Sequence, residues 1–541
     1  MGTRSRRFVA VAAASAILFG ITGAGAAVAT SAPAAASAIP SNGSPAATGV
    51  HEGGNLTVLE GAALVGGYPN GLDPGQNAIT PSGPMMDAIY GDFFQLGAGD
   101  KLIPDLATSY SLTNGAKTLT LNLRQGVDFS DGTPFNASAV IYNFNRDLAQ
   151  AGNSAANPRW PPATSITAPS PYTVVVNFTS PDGAAVSQMF DTTVSWIVSP
   201  TALAKEGPKE FLLKPVGAGP FEVVSDVLST KLVLTKNPNY WEKGHPYLNG
   251  LTFDSVATDE SALEVLEAHD AQAYQGMTTP QLLNSYKSAG FTMTKDPGIG
   301  VTDLEIGDSI APMNNLKARE ALYYALDVPV LSKDLYKGTC TVDESFTGPG
   351  GLFYSPTVAN YRSYDLAKAK ALVKQLGGLS FTMNYLESGL GTEEASAVQT
   401  MLKAAGMNVK LNGWTTLTAA IDGFFTHQWQ VNLWQIGAYD PAGGAALDFF
   451  LLGSGPFSGI NDPTVNNYIT SGGASSNTSV RATAYKNLAN YLNQQALMPF
   501  ICAPSSWDVA AKGVSAPGLT TAYGGYVGGP MVQWQNASIN S

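Results

Sequence analysis

The sequence predicts an α/β protein of more than one lobe, and two observations support this prediction. In the second half of the chain, residues 393–405 have helical spacing, Gly406 supplies a stop, and residues 407–411 form an apolar, strand-like run. Helix, glycine and strand in this order are typical of a sheet covered by helices. The chain has 541 residues, more than one ordinary domain holds, which indicates two or three lobes.

A strand, a turn and a helix are predicted in the first half. Residues 117–124 alternate leucine with polar side chains, which is the pattern of a half-buried strand. Residues 131–134 read Asp-Gly-Thr-Pro, a turn sequence because Gly tolerates positive φ and Pro fixes its own φ. Asn136 then offers an N-cap oxygen. Apolar residues follow it at helical spacing: Val140, Phe144 and Leu148.

The remaining elements follow from the same two periodicities. Strands are predicted at residues 56–59, 172–178, 291–294, 430–433 and 498–503. Helices are predicted at residues 85–94, 262–274, 315–327, 364–370 and 479–495. Asp365 is placed to cap the fourth of these helices. The last helix is expected to bury one face: Val480, Ala484, Leu488 and Leu492.

Several sequence motifs together resemble those of one protein family. Residues 123–140 read LRQGVDFSDGTPFNASAV, residues 71–74 read GLDP, and residues 364–370 read YDLAKAK. From about residue 55 to about residue 505, the chain resembles the peptide-type solute-binding proteins of ABC importers, family 5. The resemblance implies a two-lobed periplasmic-binding-protein-like fold (type II, cluster C) with an extra subdomain in lobe I.

The resemblance also implies a division of the chain. Residues 1–29 are expected to be a signal peptide and residues 30–54 a disordered spacer. Lobe I is expected to hold residues 55–297 and 505–541, with residues 81–210 as its extra subdomain, and lobe II residues 298–504. The chain would cross between the lobes near Gly298 and Pro504, and a ligand would bind in the cleft between them.

The segment WQIGAYDP, residues 434–441, resembles the cleft-lining segment of the family. In peptide-binding relatives the third residue after the Trp is an Asp that pairs with the α-amino group of the peptide. Here that residue is Gly437, which departs from the pattern and is expected to free volume for a different solute. Asp440 would either bind the amine instead or cap the turn at Pro441.

Aromatic residues complete the predicted site. Trp414 and Trp434 are candidate platforms on which a ligand stacks, the alternative being that they pack in the core. Tyr68 and Tyr439 would face the same cleft, and Gln435 is the polar neighbour of Trp434. The ligand-binding prediction therefore covers seven positions: Tyr68, Trp414, Trp434, Gln435, Gly437, Tyr439 and Asp440.

Composition and spacing favour a binding protein over an enzyme. The net charge of −12 argues against a nucleic-acid partner, which requires a basic face. The four histidines are scattered, no metal-ligand spacing is present, and neither a nucleophile elbow nor a phosphate loop occurs. We therefore expect no catalytic residues, no cofactor and no metal. A paired acid and base for glycoside hydrolysis leaves no mark in one sequence, so a secreted hydrolase on the same scaffold stays an alternative.

The first residues indicate export. Arg4, Arg6 and Arg7 precede an apolar run that is short for a membrane span, and small residues follow it. No Cys follows that run, so a lipid anchor there is not expected. Cys340 and Cys502 are the only cysteines, and in an exported protein an even pair indicates a disulfide, the alternative being two buried thiols.

The expected function is that of an exported substrate-binding protein of an ABC transporter. It would act as a monomer in the periplasm or outside the cytoplasmic membrane, and would capture a peptide or other small solute in the interlobe cleft. The permease and ATPase subunits would be separate chains, because neither a membrane span nor a Walker motif is present. A solute-sensing co-receptor that presents the ligand to a sensor is an alternative.

Overall fold

The computed structural model describes residues 51–61, 71–76, 83–97, 101–149, 163–190, 192–296, 298–387, 390–442, 447–455, 457–522, 525–526 and 529–540. The predicted signal peptide, Tyr68 and all but the last four residues of the predicted spacer lie outside the described residues. No helix in these ranges combines the length and the apolar character that crossing a bilayer requires.

Strands and short helices alternate along the described chain. The strands are β1 (Asn55–Gly61), β2 (Phe94–Gly97), β3 (Lys101–Pro104), β4 (Ala107–Thr113), β5 (Thr118–Leu123), β6 (Ala163–Ser170), β7 (Thr173–Phe178), β8 (Phe221–Val227), β9 (Lys231–Lys236), β10 (Gly250–Val256), β11 (Ala273–Met277), β12 (Thr292–Lys295), β13 (Gly300–Ile306), β14 (Thr341–Val342), β15 (Leu379–Leu386), β16 (Met407–Trp414), β17 (Val431–Gly437), β18 (Phe500–Ala503), β19 (Trp507–Ala510), β20 (Val514–Ser515), β21 (Pro517–Gly518), β22 (Thr521–Ala522), β23 (Gly525–Tyr526), β24 (Gly529–Pro530) and β25 (Ser538–Ile539). The helices are α1 (Gly83–Tyr90), α2 (Ala137–Ala149), α3 (Pro200–Glu206), α4 (Pro208–Phe211), α5 (Asp259–Glu267), α6 (Leu283–Ser288), α7 (Leu316–Ala325), α8 (Val328–Asp334), α9 (Leu366–Gln375), α10 (Gly391–Ala404), α11 (Leu417–Phe425), α12 (Leu447–Phe450), α13 (Pro463–Ala474) and α14 (Thr478–Gln494).

The sheet of lobe I is mixed. Its strands among the described residues lie in the order β12-β19-β11-β1-β10-β9-β8. β1 is parallel to both of its neighbours, β10 and β11. Leu56 and Val58 point to the larger core of the lobe, while Leu59 packs with α5 and α6 on the other face. The alternation along β1 therefore fixes which side chains face each layer.

A second sheet of lobe I, in the order β4-β5-β7-β6, lies within the predicted extra subdomain. The leucines of β5 at 119, 121 and 123 are buried, so the predicted strand is confirmed. Asn136 accepts hydrogen bonds from the N–H groups of Ser138 and Ala139, which confirms the predicted cap of α2. Local sequence signals thus predict this strand, turn and helix motif correctly.

Lobe II is built on a sheet in the order β14-β18-β13-β17-β15-β16. Helices α7, α9 and α10 pack on one face through Leu322, Leu372 and Val398. Helices α13 and α14 cover the other face, which also carries the aromatic residues of α11. Layers of helix on both sides of a sheet are the α/β packing that the sequence predicts.

Two connections join the two main sheets. β12 belongs to the lobe I sheet and β13 to the lobe II sheet, so the chain crosses between them over residues 296–299. It returns over residues 504–506, between β18 and β19. The predicted crossings near Gly298 and Pro504 fall within these connections. Cys340 and Cys502 form a disulfide that links the start of β14 to β18, with a Cα–Cα distance of 5.6 Å.

Three predicted helices differ from the observed elements. The helix predicted at 262–274 ends at Glu267, because the chain turns there and enters β11. The helix predicted at 85–94 ends at Tyr90, and β2 begins at Phe94. In α14 the predicted face is confirmed at Ala484, Leu488 and Leu492 but wrong at Val480, which is 50 % exposed, while Arg481 is buried. The spacing of apolar residues in the sequence did not show that Arg481, rather than Val480, lies on the buried face of the helix.

Candidate ligand site between the lobes

The directions of the strands define two facing edges. In lobe I, β12 is parallel to β11 and β1, because β19 runs antiparallel to both β12 and β11. The carboxyl ends of β1 and β11 therefore lie at the edge from which the chain leaves for lobe II. In lobe II, β13 starts at the corresponding edge, and β17, β15 and β16 all end there. Carboxyl ends of strands are the usual position of a ligand in open α/β sheets.

Trp414 and Trp434 come together near this edge of lobe II. Their ring centroids are 6.5 Å apart at an interplanar angle of 80°. Phe424 of α11 lies between them, 5.1 Å from Trp434 and 5.6 Å from Trp414, and Phe450 and Phe457 extend the group. We call these five residues the aromatic cluster. Both tryptophans stay partly exposed, so the cluster combines core packing with an accessible indole surface.

Gln435 points away from Trp434. The observed strand β17 continues through Gly437, whereas the predicted strand stopped at residue 433, so Trp434 and Gln435 are consecutive strand residues with opposite faces. Trp434 lies opposite Asp303 of β13, and Gln435 lies opposite Thr302. Gln435 is exposed at the end of the strand. The two side chains therefore cannot line the same wall of a ligand site.

Gly437 does not free volume, which corrects the expectation from the sequence. It lies directly opposite Gly300 of β13. A Cβ at Gly437 would be 2.6 Å from Cα of Gly300 and 3.0 Å from its backbone N. Contacts this short are excluded sterically, so the space that a side chain would take is filled by the neighbouring backbone.

Asp440 is fully buried and engaged by protein groups. Its Oδ1 accepts a hydrogen bond from the N–H of Ala442 at 2.9 Å, so the carboxylate caps a turn. Nη2 of Arg481 lies 2.5 Å from the same oxygen, and the hydroxyl of Ser187 donates to Oδ2. The sequence left amine binding and turn capping open for Asp440. The structure shows the turn cap together with an ion pair.

Arg481 was not among the predicted site residues. Burial lowers its pKa, but Asp440 and Tyr485 raise it by more, so the pKa lies above its ordinary value and the guanidinium is charged. Its Nε donates to the carbonyl of Gly472, and its guanidinium carbon lies 4.9 Å from the ring centroid of Phe353. An arginine within the buried face of α14 is the sequence signal that would have found it.

Lobe I touches lobe II beside Asp440. Ser187 belongs to the predicted extra subdomain of lobe I, and so does Phe190, whose ring centroid is 5.7 Å from that of Tyr439. The N–H of Gly183 donates to the carbonyl of Gly473 at 2.8 Å. Tyr439 is 3 % exposed, so it packs in this contact rather than facing an open groove. We call residues 183–190 with Tyr439, Asp440 and Gly473 the interlobe contact.

Buried carboxylates lie under the aromatic cluster. Asp303 and Glu305 of β13 are no more than 1 % exposed. Burial raises the pKa of both well above its usual range, and the pKa of Asp303 is raised further by the charge of Glu394. Asn432 lies opposite Glu305 and accepts a hydrogen bond from Asn384 at 2.8 Å, and Asn412 donates to Asn384 in turn. These polar residues were also absent from the sequence prediction.

Two cavities lie outside the facing edges. One, of about 530 Å³, is lined by residues of the segment 236–245, and the other, of about 290 Å³, is lined by Asp343, Glu344 and Tyr361 among others. Neither is lined by a predicted ligand-binding residue. In the part of the chain that the structure describes, no group of three or more His, Cys, Asp or Glu side chains is arranged to hold a metal ion.

Two sheets joined by two connections, with an aromatic edge between them, define the class of two-lobed solute-binding proteins. Residues 101–458 match the family of bacterial extracellular solute-binding proteins, family 5 (middle). The chain belongs to this family.

Relatives and solved structures agree with this assignment. The chain is 30 % identical over 320 residues to the glutathione-binding protein GsiB of Escherichia coli strain K12, covering 58 % of this chain and 61 % of that protein. The matched region thus spans about three fifths of this curated relative. The fold is similar to that of DppA from Helicobacter pylori in complex with the peptide STSA, with a TM-score of 0.75 at 21 % identity, covering 91 % of this chain and 99 % of that one. It is also similar to NikZ from Campylobacter jejuni in complex with Ni(L-His), with a TM-score of 0.73 at 18 % identity, covering 90 % and 99 %.

Proposed function

We propose that this protein captures a small solute, a peptide or another compound of similar size, between its two lobes and delivers it to the permease of an ABC importer. The observation that carries the proposal is the pair of facing strand edges, which within the described residues are joined by only two connections. Such an arrangement allows rigid lobes to open and close around a ligand by changes in a few backbone angles. Ligand burial and lobe closure together would supply the affinity.

The relatives support a small solute as the class of ligand, but they do not identify the compound. Their names record glutathione, a peptide and a nickel–histidine complex, which differ widely in charge and size. In this chain the position of the peptide-anchoring Asp is Gly437, backed by Gly300, and Asp440 is paired with Arg481. We therefore propose that the solute is not held by a carboxylate at either of these two positions.

The aromatic cluster is the proposed platform for the apolar part of the solute. Trp434 and Trp414 keep part of their indole surface accessible at the edge of lobe II that faces lobe I. Stacking on an indole contributes about 0.5–1.5 kcal/mol beyond area burial. Trp434→Ala is therefore expected to weaken solute binding tenfold or more while the protein stays folded, because the residue is only partly buried. Unchanged affinity would contradict its role.

We propose that the protein works outside the cytoplasmic membrane as a monomer, and that its permease and ATPase are separate chains. The family is described as extracellular, in keeping with the export signal that the sequence predicts. The matched relatives are binding proteins, so we propose that the captured solute is released chemically unchanged. Deletion of the cognate importer would abolish uptake if the protein serves transport, and a co-receptor would keep its signalling in that strain.

Native mass spectrometry of the protein purified from its own host tests the proposal. We expect a stoichiometric small molecule that is released on denaturation with its mass unchanged. Incubation of the released compound with fresh protein should return the same mass. Conversion to a product would identify an enzyme instead. If the protein binds neither the released compound nor any added peptide or amino-acid complex, the proposed function fails.

A further inference from the structure

We propose that Glu60, Gln275 and Asp508 form a subsite in lobe I for a cationic group of the solute, either an ammonium or a guanidinium. The inference rests on the proposed solute-binding function and adds the chemical class of the ligand. These residues lie on neighbouring strands, and none belongs to the segment that resembles the cleft-lining segment of the family.

The strand register brings the three side chains together. Glu60 of β1 lies directly opposite Gln275 of the parallel strand β11. Asp508 of β19 is next to Gln275, since Tyr274 pairs with Val509 and the N–H of Gly276 donates to Oδ1 of Asp508 at 3.2 Å. All three point to the same face of the sheet, because they alternate with residues of the opposite core. The row thus crosses three adjacent strands.

Two members of this row are buried without the partners that buried polar groups normally have. Glu60 is 0 % exposed and Gln275 is 1 % exposed. Within the described residues, neither carboxylate oxygen of Glu60 has a hydrogen-bond partner, and neither the amide N nor the amide O of Gln275 has one. A buried polar group without a hydrogen bond is destabilising, and more so when it is charged. The unpaired amide of Gln275 supports a ligand site independently of the acidic residues, because it is neutral. Its donor and its acceptor both belong to the same row.

The row lies at the edge that faces lobe II. Glu60 is the penultimate residue of β1, and this carboxyl end coincides with the edge from which β12 leaves for lobe II. Asp508 follows the returning connection by two residues. The row therefore lies beside both connections and across from the edge that carries Trp434. A ligand that lies between the edges would contact both.

The ionisable residues around the row are acidic, which favours a cationic ligand. Burial raises the pKa of Glu60 to about 8, and burial followed by the charges of Asp296 and Glu60 raises the pKa of Asp508. Burial also raises the pKa of Asp296, which lies at the start of the first connection. Tyr274 projects from the reverse face, where its hydroxyl donates to Asp259. None of the described Lys, Arg or His residues forms a salt bridge with Glu60, Asp296 or Asp508.

An organic cation fits the row better than a metal ion. No metal-binding grouping was found at these residues or elsewhere in the described ranges. An ammonium or guanidinium offers three to five N–H donors, and carboxylate oxygens together with the amide oxygen of Gln275 are the acceptors that such a group requires. The cation would also ionise Glu60, because an opposite charge favours the charged form of a carboxyl group.

Isothermal titration calorimetry with matched probes tests the subsite. The pairs are trialanine with N-acetyl-trialanine, which differ in the α-ammonium, and arginine with citrulline, which share the α-ammonium and differ in the guanidinium. We expect the protein to bind the cationic member of at least one pair tenfold or more tightly at pH 7. Binding in two buffers of different ionisation enthalpy should reveal release of about one proton, because Glu60 is mostly protonated at that pH.

Two variants of the row and one control complete the experiment. Glu60→Gln keeps the shape and should remove both the preference for the cation and the proton release, and Asp508→Asn should weaken the preference. The control Glu394→Gln changes another fully buried carboxyl, in lobe II, whose pKa burial raises to about 7, and should leave the preference unchanged. Equal binding of both members of each pair, or an unchanged preference in Glu60→Gln, would overturn the subsite and leave the proposed function intact. Binding of no probe at all would count against both.

Discussion

The ion pair between Arg481 and Asp440 connects helix α14 to the turn that Asp440 caps. Asp440 occupies a motif associated with ligand contact, yet here it caps a turn, pairs with an arginine and accepts a hydrogen bond from Ser187 of lobe I. Arg481 and Asp440 are both buried, so each depends on the other for its charge to be tolerated. Each charge of the pair is therefore compensated within the protein.

Arg481→Met is expected to destabilise the protein strongly. The variant leaves Asp440 buried without its counter-charge, and breaking a buried pair costs about 3–5 kcal/mol. Urea unfolding measures the loss. The control is Lys231→Met, which breaks the exposed pair with Asp254 and should cost no more than about 1 kcal/mol. Equal losses in the two variants would show that the buried pair contributes no more than a surface pair.

Glu60→Gln is expected to stabilise the empty protein at high pH. The pKa of Glu60 is about 8 in the folded protein against 4.5 for the free group, because burial disfavours the charged form. The stability that the protonated carboxyl provides is complete below pH 4.5 and is lost as the pH rises through 8, by up to about 5 kcal/mol. Urea unfolding at pH 5, 7 and 9 should show a growing advantage of the variant. The exposed control Glu267→Gln should show none, and an advantage independent of pH would contradict the assignment.

At the level of elements, the sequence predicts what depends on local signals. β5 and α2 form as expected because alternation, turn chemistry and the cap at Asn136 all lie within thirty or so residues of one another. The same holds for α9, where Asp365 accepts a hydrogen bond from the N–H of Lys368 at 2.9 Å. The fold class follows from such local elements together with the family resemblance.

The candidate site is harder to predict because its contacts are distant in sequence. Phe424, Phe450 and Phe457 join Trp434 only after the sheet of lobe II has formed. The pairing of Gly437 with Gly300 depends on the register of β13 and β17, which the sequence does not reveal. Glu60 could have been found from the sequence. It shares one face of β1 with Leu56 and Val58, and a glutamate within an apolar face indicates a functional or strained position.

Introducing the family's aspartate as Gly437→Asp is expected to disrupt the pairing of β13 and β17 without creating an amine anchor. The new Cβ would lie 2.6 Å from Cα of Gly300, so the strands must move apart. Overpacking of this kind costs about 1–3 kcal/mol, measured as a lower unfolding midpoint in urea. Gln435→Asp adds the same charge at the neighbouring exposed residue and should cost less. A stable Gly437→Asp protein with tighter binding of trialanine would contradict the steric argument.

For the whole molecule, we expect the interlobe contact to couple the distance between the lobes to solute binding. Ser187 and Phe190 of lobe I meet Asp440 and Tyr439 of lobe II, while Ala184 lies in the hydrophobic cluster of lobe II. These contacts form in one arrangement of the lobes. A substitution that prevents them therefore shifts the population of conformations towards a more open form. A solute that needs both edges would then bind more weakly, because part of its binding free energy is spent on closing the lobes.

Gly183→Ala is the sharpest test of this coupling. A Cβ at Gly183 would overlap the carbonyl carbon of Ser475, so even one methyl group must push the lobes apart. We expect a larger radius of gyration in small-angle X-ray scattering and a solute affinity at least tenfold lower. The matched control is Gly473→Ala, on the other side of the same hydrogen bond, whose Cβ would make an ordinary contact with Ala442 at 3.6 Å. Both variants add the same methyl group to the same contact, so the control separates the steric overlap from the loss of a glycine, apart from the gain in helix propensity at Gly473 in α13. If the two variants scatter and bind alike, contact between residues 183–190 and lobe II does not control closure, and the coupling must be carried by the two connections alone.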